Sequence, residues 1–111
     1  MKAAAIEHYR EGLARYGKGE HPQAIDEYRL ALALEPDWAD CVQALGMAQL
    51  QAGRFDEAVA TLERAVALAP DDPLAHTSLS MARVRTGNIQ GAEEAQARAR
   101  MLAFEQEKKR R

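Results

Sequence analysis

Moved along itself by 34 residues, this chain falls into register. Gly19, Gly53 and Gly87 align, as do Ala14, Ala48 and Ala82; Ala24, Ala58 and Ala92; Ala31, Ala65 and Ala99; and Leu34, Leu68 and Leu102. Gly12 with Gly46 and Ser80, Pro36 with Pro70, and Leu45 with Leu79 keep the same register. Such self-similarity means one supersecondary unit used three times, because a unit this short cannot bury its apolar face alone and must stack on its neighbours.

Apolar residues recur three and four apart on both sides of each shared glycine, so each period holds two helices. The pattern predicts helices at about residues 3–17, 22–34, 38–51, 56–68, 73–85 and 90–109. The glycines supply the positive φ that ends a helix and turns the chain. Pro22 and Pro73 suit a first helical turn, where the missing N–H has no partner to lose. Asp37 and Asp72 are expected as N-caps. Pro36 and Pro70 close each second helix. Ala14 against Ala24, and their equivalents, are expected to let the helices of each hairpin approach. With 47% hydrophobic residues dominated by alanine and leucine, and only 5% aromatic, the composition favours helices over sheets. The fold class expected is all-α.

The period and the Leu-Gly, Ala, apolar, Ala, Pro pattern carried by Leu45, Gly46, Ala58, Leu62, Ala65 and Pro70 resemble the tetratricopeptide repeat family. The resemblance covers about residues 5–104. It implies a right-handed α-solenoid forming a single domain over residues 1–111, with repeats at about 5–38, 39–72 and 73–104 and a helical extension at 105–111. The first repeat departs from the pattern at Glu11, and the third at Ser80, Gln96 and Phe104. Gln96 and Arg100 stand where earlier repeats have Tyr28 with Leu32 and Leu62 with Val66, so the last helix is expected to cap the array with a polar face.

Chemistry of the catalytic kind is not indicated. His8 and His76 hold equivalent repeat positions and His21 stands at a helix start; none has a carboxylate or cysteine at metal-ligand spacing, and structural or capping roles are expected. Cys41 reads as a buried small hydrophobe, with a nucleophile as the alternative. Asp71–Asp72 and Glu93–Glu94 belong to a helix start and a solvated face, not to an enclosed acid–base pair. No enzyme activity, cofactor or metal is expected.

The family resemblance implies instead a concave surface, lined by the first helix of each hairpin, that receives peptides or partner helices. Tyr9, Leu13 and Tyr16, then Gln43, Met47 and Leu50, then Thr77, Met81 and Val84 each run i, i+4, i+7 along those helices. These nine are the expected groove, with Arg10 and Arg85 at its rim and a protein segment with apolar anchors as its partner. An alternative reading keeps Leu13, Leu50 and Val84 for packing between neighbouring first helices. One subfamily grips the carboxylate of chaperone tails with lysine, asparagine and arginine. The matching places here hold Tyr9, Leu13, Ala44, Leu74 and Ser78, so such tails are not expected as partners.

Two competing functions remain in view. The chain could be a scaffold that forms homo-oligomers through its groove or repeat ends. Alternatively, Arg98, Arg100 and Lys108 to Arg111 could contact nucleic acid or an anionic membrane. Glu105 and Glu107 interrupt that basic run, and a net charge of −2 supplies no attracting field, so nucleic acid is not the expected partner. No run approaches the ~20 apolar residues of a membrane span. The opening MKAAAIEHYREGLA breaks into charges before an apolar region develops, so a cytoplasmic location is expected.

Overall fold

A computed structural model describes residues 1–111 and contains six helices and no strand: α1 (Ala3–Gly17), α2 (His21–Leu34), α3 (Ala39–Gln51), α4 (Phe55–Leu68), α5 (Pro73–Arg85) and α6 (Ile89–Lys109). Each lies within a residue or so of the span its periodicity predicts. The three glycine turns are built alike, with φ of 78° at Gly19, 80° at Gly53 and 84° at Gly87. In each, the glycine N–H returns to the carbonyl three residues back and the next N–H to the carbonyl five back, as in Arg54 N–H to Gln49 O at 2.9 Å. This satisfies the carbonyls that the ended helix leaves open.

Consecutive helices pack antiparallel as hairpins, and the hairpins stack. The small residues act differently from expectation. Ala14 is exposed while Ala24 is fully buried, so this pair does not close the first hairpin. The close approach is made by Gly12 against the Tyr28 ring and by Gly46 against Leu62, whose Cγ and Cδ2 would lie 2.5 Å from any Cβ at position 46. Ala48 instead joins Ala24, Ile25, Tyr28 and Ala31 of the preceding repeat in one cluster, and Ala82 packs with Ala58, Leu62 and Ala65 in the next. Ala14 has no preceding repeat to face. In the third hairpin Ser80 replaces the glycine, and its hydroxyl donates to the Ala92 carbonyl at 2.7 Å, tying α5 to α6.

Asp72 caps α5 by accepting the Leu74 N–H at 3.0 Å, but Asp37 caps nothing. Its carboxylate accepts instead from Arg64 of the following repeat at 2.8 Å. α6 buries Ala92, Ala95, Ala99 and Leu102 against the rest and turns polar at Arg100. Beyond Leu102 it runs on to Lys109, with the Gln106 amide donating to the Asp71 carbonyl at 2.8 Å.

The curvature follows from which helices touch. α1 contacts α3 and α3 contacts α5, whereas α2, α4 and α6 make no contact with one another. The first helices therefore crowd along the inner flank and the second helices splay on the outer one.

Candidate functional site

The inner flank carries three shallow depressions. The first, of about 220 Å³, lies across all three first helices and is lined by Tyr9, Asp40, Gln43, Ala44, Met47 and Leu74. The second, of about 190 Å³, shares Ala44 and Met47 with it and adds Leu13, Tyr16 and Tyr28, so the two form one apolar trough between α1 and α3. The third, of about 280 Å³, lies between the ends of α3 and α5 and is lined by Leu50, Gln51, Met81, Val84 and Arg85.

Of the nine residues expected in a groove, eight reach these depressions. Thr77 does not: its hydroxyl turns back to donate to the Pro73 carbonyl at 3.1 Å. Leu50 touches the third depression only by an edge, being 5% exposed and part of the core, which is the packing role held open for it. Leu13, Met81 and Val84, at 45%, 44% and 50% exposed, are open to solvent as a docking surface requires. Arg85 lies over the Phe55 ring, 4.3 Å from its centroid, at the edge of the third depression. Arg10 is exposed and lines none of them.

Five lining residues fall outside the expected set: Tyr28, Asp40, Ala44, Gln51 and Leu74. The signal was present for Asp40 and Leu74, which are repeat equivalents three residues before Gln43 and Thr77, on the same helical face. Trp38, just before α3, also went unmarked. Its ring packs at a tilt against Tyr9 with centroids 4.5 Å apart, and Tyr9 meets Tyr28 at 5.9 Å, so the three aromatic rings brace one another beside the trough.

Burial pushes the Tyr9 phenol above its ordinary value, and the Asp40 carboxylate adds to that effect. Tyr28 is raised further, again by burial first and by Tyr9 next. The Gln43 amide donates to the Ser78 hydroxyl at 3.4 Å, linking α3 to α5.

The histidines are engaged in structure. His8 pairs with Glu27 at 2.9 Å, His76 Nε2 meets the Pro70 carbonyl at 2.9 Å, and His21 sits edge-on to Tyr16. Nowhere do three His, Cys, Asp or Glu side chains gather as a metal-binding set.

Cys41 is fully buried, and burial pushes its thiol from 9.0 up to about 12. A neutral buried thiol is a poor nucleophile. It should therefore stay unreactive toward a small disulfide reagent such as DTNB in native buffer and react at once in denaturant. A raised acid pKa also means that the unfolded chain loses this proton first. The stability tied to the neutral thiol is complete below 9.0 and is lost as pH rises toward 12. Unfolding midpoints measured across that range should fall, and Cys41→Ala should remove the part of the fall that begins at the thiol, leaving the later part due to Tyr9 and Tyr28.

The tetratricopeptide repeat family profile matches residues 3–83, and the chain belongs to that family. Among solved structures, MamA superposes with a TM-score of 0.89 at 26% identity over 95% of this chain, which spans 61% of the MamA chain. The Sgt2 TPR domain from Aspergillus fumigatus gives 0.89 at 24% identity, over 93% of this chain and 68% of that one. The second TPR of Spaghetti (RPAP3), bound to the HSP90 peptide SRMEEVD, gives 0.86 at 22% identity, over 90% and 93%. No curated protein matches the sequence significantly. No helix is long and apolar enough to cross a membrane.

Proposed function

We propose that this chain is a non-catalytic interaction module that holds a segment of a partner protein along its inner flank by apolar anchors. The observation that carries this is the trough from Tyr16 through Met47 to Leu74, with a separate depression at Met81, on a flank where large apolar side chains remain open to solvent. Methionine adapts its shape to different partners, and tyrosine adds an apolar body with a polar tip. The segment is not a carboxylate-terminated chaperone tail of the kind gripped through lysine, asparagine and arginine. The places of the gripping donors in that subfamily hold Tyr9, Leu13, Ala44, Leu74 and Ser78 here. A carboxylate placed among them loses its water and gains no charge-assisted hydrogen bond.

The chain contains four methionines, two in the groove and two, Met1 and Met101, outside it, which makes a built-in reporter. In spectra of the isotope-labelled methionine methyls, a peptide selected by this protein from random segments should shift Met47 and Met81 and leave Met1 and Met101 in place. Shifts confined to Met101 would place binding elsewhere. Shifts of Met47 and Met81 that follow protein concentration without any peptide would instead support the homo-oligomeric scaffold.

A further inference from the structure

We infer that the first depression selects partner segments that carry a lysine or arginine beside their apolar anchors, received by the Asp40 carboxylate and the Tyr9 ring; this rests on the groove reading above and makes it specific. Asp40 is the only charged residue among the six that line that depression. It enters none of the ion pairs in the chain, so its charge has no internal partner.

The fold does not require an acid there. The repeat equivalents of Asp40 are Ile6 and Leu74, and α1 and α5 begin with no acidic residue in their first turn. Asp40 lies in the first turn of α3, where the positive end of the helix favours a negative charge without pairing with it. Beside it, Tyr9 is held by Trp38 and Tyr28. A carboxylate next to a fixed aromatic ring offers a cation both a charge-assisted hydrogen bond and a ring-face attraction, whereas it repels an acidic side chain.

The other cations of the flank do not compete for this place. Arg85 is committed to the Phe55 ring at the third depression, and Arg10 lines none. The apolar trough supplies the area of contact, and the single acid sets which segment is accepted and in which direction it lies.

The test is selection from a library of random segments displayed within a carrier protein, run in parallel on the wild type, Asp40→Asn, Asp40→Lys and the doubly substituted Leu13→Glu, Met81→Glu protein. Melting followed by circular dichroism confirms that each is folded, which the exposure of Asp40 favours. The wild type should enrich Lys or Arg at one fixed distance from the apolar anchors, and Asp40→Lys should enrich Asp or Glu there. The leading sequence, synthesised with both ends capped, should bind Asp40→Asn about tenfold more weakly than wild type. A wild-type pool with no basic position, or a basic position that persists unchanged in the Asp40→Lys pool, overturns the inference. The groove reading then still stands if the Leu13→Glu, Met81→Glu protein has lost the pool. A wild type that enriches nothing overturns both.

Discussion

Truncating Leu62 to alanine is expected to lower the stability of the chain by about 2–5 kcal/mol, the range for a large aliphatic side chain removed from a packed core. Leu62 is fully buried and belongs to the cluster in which Val42, Ala58 and Ala65 of the second repeat meet Leu79 and Ala82 of the third. The loss therefore opens a cavity at the junction between two repeats, not at the edge of one. A domain of this size has roughly 5–15 kcal/mol in total, so the variant sits near the limit of folding. Gly46 provides the check on mechanism. Alanine at position 46 brings a Cβ to 2.5 Å from Leu62 Cγ and Cδ2, and because Cγ is the branch point of the side chain the helices must part, at about 1–3 kcal/mol. Once Leu62 has been shortened, that conflict is gone. Denaturant titrations of Gly46→Ala, Leu62→Ala and the double variant should give a combined loss clearly below the sum of the two. Strict additivity would mean that α3 and α4 do not meet where the structure has them.

Much of this fold was legible because the repeat is written in residues with narrow conformational roles. Gly19, Gly53 and Gly87 mark the turns since φ near +80° is open to glycine and strained for other residues, and Pro73 marks a helix start. What a repeat pattern does not disclose is which neighbour a small residue faces. Ala48 and Ala82 recur with Ala14, yet they serve the stack between repeats, so Ala14, with nothing before it, lies exposed. Asp37 was misread for a similar reason: Arg64, which claims its carboxylate, comes from the following repeat. At the candidate site, the i, i+4, i+7 face picks out Tyr9, Leu13, Met47 and Met81, which line the depressions, but a one-dimensional spacing draws a stripe where the first depression spans three helices. Asp40, Ala44 and Leu74 enter it from the adjacent row, while Thr77 leaves it by bonding to its own helix. The bracing of Tyr9 by Trp38 joins residues almost a full repeat apart and depends on the angle between hairpins.

On the proposed docking flank, substitution should change binding most while changing the fold least. Met47 lies in both halves of the trough but also packs against the core, so a charge there would confound binding with stability. Leu13 and Met81 are the cleaner pair: both are nearly half exposed, and they stand at the two ends of the apolar surface. Burying each as an anchor contributes roughly 1.5–3 kcal/mol, and a glutamate in its place must also shed its water against an apolar partner. Leu13→Glu with Met81→Glu should therefore keep the helical signal and the unfolding midpoint close to wild type and weaken binding at least about 100-fold, since each tenfold is about 1.4 kcal/mol. The most direct test of the whole account is a calorimetric titration of the wild type and this double variant with one capped peptide selected by the wild type. A loss of about two orders of magnitude or more in affinity with the fold intact is the predicted result. Equal affinity for both proteins would contradict docking on the inner flank.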